Sequence, residues 1–196
     1  LLQDSYHMWS RSIMGNTTKY DVEAATVERL LVPESVSLTI PPFQRKYSWG
    51  AEEVSELLGD LFDDDDWSRA NGYDAPYFLG SVVLAGNQDS YLVLDGQQRL
   101  TTISLLLAVL KQKLEMSGHN DTNEINKYLV SGKFGMKKTA KIRLQPEDNE
   151  TYLSLLNNPS NAKEKNLRRS TLASAVHKIN DIIDDCADKF AQRDIQ

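Results

Sequence analysis

Apolar positions recur along this chain at two different periods, and the switch between them marks out the elements. Residues 20–31, YDVEAATVERLL, place Val22, Ala25, Val27 and Leu30 at helical spacing, and Pro33 closes the segment. Residues 35–40, SVSLTI, alternate polar and apolar and predict a half-buried strand, stopped by Pro41 and Pro42, which cannot donate to a sheet ladder. Ser48 is a candidate helix cap, with Glu52 and Glu53 near the positive helix end; Val54, Leu57, Leu58 and Leu61 then follow on one face. Residues 77–85 and 91–94 predict two strands around a turn at 86–90. From Arg99 to Glu115 the positions Leu100, Ile103, Leu106, Leu107, Leu110 and Leu114 share a helical face, and Gly118 is a natural stop.

The remainder predicts mainly helix. Residues 123–131 form a short one, Lys141 to Leu144 a short strand, and 147–156 a helix with Leu153 and Leu156 inward. A last helix, 166–190, carries Leu172, Val176, Ile179, Ile183, Cys186 and Phe190 as one stripe. This order predicts an α+β fold: a small mixed sheet with helices over residues 20–115, then a helical extension over 116–196. Residues 1–19 read as a disordered or vector-derived leader, and the whole as part of a longer protein.

Composition narrows the partners. The chain has 196 residues, a net charge of −6, 40% hydrophobic residues and one cysteine. An acidic chain is not built to coat nucleic acid through a uniformly basic face. A lone thiol makes no internal disulfide, and no Cys/His spacing matches zinc, so a reducing, cytoplasmic setting is expected. No apolar run is long enough to span a membrane. Asp63–Asp66 read as a solvated acidic loop, and 133–141 and 163–169 as exposed basic patches able to touch DNA phosphates.

The stretch YLVLDGQQRLTT is the most informative. Strand, tight turn and helix set Asp95, Gly96, Gln97, Gln98 and Arg99 at a helix N-terminus, where free backbone N–H groups and the helix dipole favour phosphate. Gly96 allows a ligand or another strand to come close, Arg99 offers a guanidinium fork, and Thr101 and Thr102 add hydroxyls. Asp95 suits a ribose hydroxyl, a Mg²⁺-bound water or Arg45. A purely structural turn, with Asp95 as cap and Arg99 in an ion pair, explains the same residues. A second cluster, IPPFQRKYSW, supplies Gln44, Arg45, Tyr47 and Trp49, suited to base stacking and phosphate binding, or to pinning a loop to the core. Gly80, inside a strand pattern, marks either close approach of a ligand or a bulge.

In this order, IPPFQRKYSW, YFLGSVVL and LVLDGQQRLTT resemble the N-terminal domain of the GmrSD family of modification-dependent (type IV) restriction endonucleases. More distantly, they are similar to the ParB/sulfiredoxin-like fold. The resemblance implies a nucleoside-triphosphate pocket and hydrolysis coupled to anti-phage defence. By position it implies Asp95, Gln97, Gln98 and Arg99 as catalytic residues. Gln44, Arg45, Tyr47, Trp49, Gly80, Gly96, Thr101 and Thr102 would bind the nucleotide, GTP or ATP, with Mg²⁺ at Asp95. The family usually adds a C-terminal HNH-type nuclease domain, which this sequence does not show, so DNA cutting is not expected of it. Modified DNA and a second copy of the chain are the other expected partners. The alternatives are a non-catalytic DNA-sensing module and a structural interaction domain. Sulfiredoxin chemistry needs a cysteine in the turn, where this chain has Gln97 and Gln98, and there is no P-loop motif.

Overall fold

The computed structural model describes residues 21–62, 78–87, 90–119, 122–132 and 138–193. The leader, the acidic run at 63–66, the loop at 70–76, most of the basic patch at 133–141 and the Phe190 side chain lie outside the described residues.

The elements in chain order are α1 (Val27–Leu31), β1 (Ser37–Thr39), α2 (Ala51–Phe62), β2 (Val83–Asn87), β3 (Ser90–Asp95), α3 (Gln97–Met116), α4 (Asn123–Leu129), β4 (Val130–Ser131), β5 (Thr139–Ala140), β6 (Ile142–Arg143), α5 (Pro146–Asn157), a 3₁₀ turn (Pro159–Lys163) and α6 (Thr171–Arg193). Four strands form a sheet in the order β2-β3-β1-β6, and β4 pairs with β5 separately. Strand β1 runs parallel to both β3 and β6, while β2 and β3 make an antiparallel hairpin. The fold is thus α+β with a small mixed sheet, as the patterning implies.

Leu38, Val93 and Ile142, one from each parallel strand, enter a single core with Leu58, Leu105, Tyr152, Leu155, Val176 and Ile179 from the helices. The other sheet face keeps Leu92, Leu94 and Val83 exposed. Helix α3 lies at the centre. Of the expected stripe Leu100, Ile103 and Leu106 are buried, Leu107 and Leu110 partly so, and Leu114 is exposed; α3 also buries Leu105, Ala108 and Val109 and the polar Thr101, Thr102 and Ser104, because α4, α5 and α6 all pack on it. The sheet and the core both cross residue 115, so the segment expected as an extension contributes β6, α5 and α6 to the same interior.

Local differences have local causes. The first helix is only five residues long, because the Thr26 hydroxyl caps Arg29 N–H and starts it there; Val22 is left 96% exposed. Helix α2 begins after Gly50, not at Ser48. Glu53 reaches back to Gly50 N–H, half of a capping box, and Ser48 N–H is engaged elsewhere. Lys141 is not part of an exposed patch: it is 1% exposed and its ammonium donates to Pro33 O, with burial holding its pKa below the ordinary lysine value. Cys186 is half-buried rather than a core thiol.

Two tyrosines make the interior sensitive to alkali. The Thr102 hydroxyl donates to Gln98 O, so the phenol of Tyr47 donates to Thr102 Oγ1 at 2.8 Å. Tyr152 pairs with Ser104 Oγ at 2.8 Å. Burial pushes Tyr47 up to about 12 and Tyr152 in the same direction. Unfolded tyrosine ionises near pH ~10, so between the two pKa values the unfolded state holds fewer protons and stability falls as pH rises. For Tyr47 alone the loss approaches about 2–3 kcal/mol by pH ~12. Urea denaturation at a series of pH values should show stability level below pH ~10 and falling above it.

Candidate functional site

Because β1, β3 and β6 are parallel, the chain leaves all three at the same edge of the sheet. The loop after β1 carries Gln44 to Trp49, the turn after β3 carries Gly96 to Arg99, and the segment after β6 carries Leu144 and Gln145. Ligands of open α/β sheets bind at such carboxyl-terminal edges. The two sequence clusters, some fifty residues apart, do meet here.

Most of their contacts are to backbone. Gln98 Nε2 donates to Lys46 O at 3.1 Å, and its Oε1 accepts from Ser48 N–H at 2.9 Å. Gln97 Nε2 donates to Arg45 O at 3.2 Å. Gln44 Nε2 returns the contact, donating to Leu94 O at 2.8 Å. Tyr47 is buried, at 5% exposure; its N–H donates to Asp148 Oδ2 at 2.9 Å and its carbonyl accepts from Thr171 Oγ1 at 2.8 Å. A short irregular loop between Pro42 and Gly50 cannot satisfy its own backbone, and these side chains do it instead. Tyr47 therefore pins the loop to the core and has no open face for base stacking, while Trp49 packs against the core and is only partly buried. Thr101 and Thr102 are buried inside α3, and the Thr102 hydroxyl is fully engaged.

Arg99 and Gly80 turn out to belong together. The guanidinium donates to Leu79 O and, at 2.8 Å, to Ser81 O. Gly80 sits at φ +90°, and a Cβ there would lie 1.8 Å from Arg99 Nη1. Its glycine thus makes room for this side chain, which is neither a ligand approach nor a bulge. Held in this way, residues 79–81 stay out of the ladder, and β2 begins at Val83 instead of 77. Gly96, at φ +87°, meets the segment that leads into β2: an added Cβ would fall 2.9 Å from Val82 Cγ2 and 3.2 Å from Ser81 O.

Four groups remain uncommitted. Arg45 and Asp95 are exposed and their side chains make no hydrogen bond or ion pair with the described residues. Gly96 gives α3 no side-chain cap, and the first intrahelical bond runs from Leu100 N–H to Gly96 O, leaving the N–H groups of Gln97, Gln98 and Arg99 without helical acceptors. Gln97 Oε1 is buried without a hydrogen-bond partner among the described residues. Gln97 lines a hollow of about 10 Å³ together with Arg45, Gln98, Thr101 and Gln145. That volume suits roughly one water, whereas sites for drug-sized ligands run to several hundred Å³. The hollow itself is too small for a nucleotide, and Arg45, part of its lining, is exposed at this edge of the sheet.

Asp95 is the sole carboxylate among the expected site residues, and the described residues contain no cluster of three or more candidate metal ligands.

Gln145 is a site residue that sequence reasoning missed, as are Asp148 and Thr171. It is buried, and its Nε2 donates to Gln44 O at 2.8 Å and Arg45 O at 2.9 Å, fastening the loop from β6. No local pattern marks it, since its partners lie 100 and 101 residues away. Gln145→Ala should cost about 1–2 kcal/mol in urea denaturation, two hydrogen bonds with partial rescue by water.

No helix among the described residues is long and apolar enough to cross a membrane. A search of curated proteins found no match. The family model described as GmrSD restriction endonuclease, N-terminal domain, matches residues 27–195, spanning the sheet, the α3 motif and all of the packed helices. This chain belongs to the GmrSD restriction endonuclease N-terminal domain family.

Proposed function

We propose that this domain binds a nucleoside triphosphate at the carboxyl edge of its parallel strands and hydrolyses it as the regulatory step of a restriction enzyme acting on modified DNA. The observation that carries this reading is the N-terminus of α3, without a side-chain cap, beside an exposed Arg45 whose side chain makes no hydrogen bond or ion pair with the described residues. Three N–H groups without helical acceptors and one exposed guanidinium are the kind of groups that bind phosphate. Asp95, exposed at the end of β3, is the candidate contact for phosphate-bound Mg²⁺ or a ribose hydroxyl. When bound, Mg²⁺ supplies charge neutralisation on the transferring phosphoryl group.

Roles divide differently from the positional expectation. Gln98 and Arg99, with both ends of one amide and the fork of the other used on backbone carbonyls and an N–H, hold the loop and residues 79–81 in place. Arg45, Asp95, Gln97 and the α3 amides face the nucleotide. Phosphoryl transfer is mostly positioning and charge stabilisation, so such a set suffices without a covalent nucleophile.

The same contacts favour a second reading, in which the motif only braces the fold. Calorimetry with Mg²⁺ and each of GTP and ATP, alongside phosphate release, separates them. The nucleotide reading expects saturable binding, weakened by Asp95→Ala at unchanged melting temperature. Bracing alone gives no binding, and DNA sensing gives modified-DNA binding without turnover.

A further inference from the structure

The two adjacent amides of Gln97-Gln98 are not equivalent. Gln98 spends its donor on Lys46 O and its acceptor on Ser48 N–H. Gln97 spends only its donor, on Arg45 O, and that carbonyl already receives Gln145 Nε2, so both of its lone pairs are taken. The Gln97 side chain cannot flip its amide to relieve the imbalance, because an oxygen would then face the Arg45 carbonyl. Gln97 is 8% exposed, and its Oε1 stays without a protein partner among the described residues. An unpaired acceptor in such a place carries a desolvation penalty of about 1–3 kcal/mol unless a donor reaches it.

The hollow beside it, about 10 Å³, is the size of one water and polar enough to hold it. Arg45 forms part of the wall and is itself exposed, so the hollow opens to the surface where the phosphates of a bound nucleotide would lie. We infer that this hollow is a one-water site, and that Gln97, not Gln98, is the residue that orients the water attacking the terminal phosphate.

This rests on the nucleotide reading above. One O–H of the water donates to Gln97 Oε1, which turns a lone pair outward, toward phosphorus. An O–P bond forms from the water as the bond between the terminal phosphorus and its bridging oxygen breaks. The nucleoside diphosphate leaves with that electron pair, and the water proton passes to the released phosphate or to solvent. The amide takes no proton; it aligns.

Three variants and one structure test this. Gln97→Met keeps the length and removes the acceptor. It is expected to bind Mg²⁺–nucleotide within about threefold of the parent and to shift melting by no more than about 4 °C, since Gln145 still serves Arg45 O. Single-turnover phosphate release should fall about 10²-fold, in the range for loss of one positioned catalytic group. Gln97→Glu restores an acceptor but sets its second oxygen against the Arg45 carbonyl, so it should lower melting and recover only part of that loss. Gln98→Met should instead lower melting. Unaltered phosphate release in a folded, nucleotide-binding Gln97→Met protein overturns the inference while leaving the NTPase reading standing. If the parent shows no turnover in any condition, the NTPase reading fails and the reactive role of the water fails with it. A crystal structure then still decides the site: a water within hydrogen-bond distance of Gln97 Oε1 supports it, and a protein donor on that oxygen overturns it.

Discussion

Gln98→Ala is expected to destabilise the fold by about 2–3 kcal/mol, from two lost hydrogen bonds and the void left by a buried side chain. For a domain of this size that lowers melting by about 5–10 °C. The reason is that Gln98 is a two-ended latch, donating to Lys46 O and accepting from Ser48 N–H. Gln98→Glu provides a sharper signature. Its carboxylate still accepts from Ser48 N–H but sets a negative oxygen against the Lys46 carbonyl. Burial and that carbonyl raise its pKa in the folded state above the ordinary ~4.3. Between the two pKa values the unfolded state holds fewer protons, so the penalty grows as pH rises through that window and is relieved as pH falls below ~4.3. Denaturation of wild type, Gln98→Ala and Gln98→Glu at acid and neutral pH checks this directly. A Gln98→Ala protein as stable as wild type would mean the loop does not hang from this amide.

Arg45→Ala is expected to do the opposite. Its side chain is exposed and makes no hydrogen bond or ion pair with the described residues, so stability should stay within about 0.5 kcal/mol. Nucleotide affinity should fall at least about tenfold, the loss of one charge-assisted phosphate contact of about 1.5–3 kcal/mol. Only the backbone carbonyl of Arg45 serves the loop, and alanine keeps it. Arg45→Lys should retain part of the affinity, because the charge survives but not the planar fork. Calorimetry of the three proteins, with melting curves beside it, separates a ligand-facing guanidinium from a structural one.

Helix α3 was legible because its apolar residues repeat at helical spacing and a glycine at positive φ precedes it. The meeting of the Gln44–Trp49 loop with the Gly96–Arg99 turn was legible from chemistry, since both segments carry polar groups where burial is otherwise expected. What each polar group does there was not. Arg99 looks the same in sequence whether it grips a phosphate or the carbonyls of Leu79 and Ser81, and the deciding feature is the missing Cβ of Gly80, 19 positions before it. The start of β2 moved for the same reason. Gln145, Asp148 and Thr171 escaped notice because each holds the loop from more than 90 positions away, beyond any local period. The first helix was overestimated because periodicity ignores caps, and Thr26 fixes where it begins.

The division of the motif into a latch and a working edge is most directly tested by amide chemical-shift mapping during titration with a non-hydrolysable triphosphate and Mg²⁺. The expected result is saturable shifts confined to residues 44–48 and 95–101, lost in Arg45→Ala while that variant's own spectrum stays folded. Saturable shifts centred elsewhere, or none at millimolar nucleotide, would contradict it.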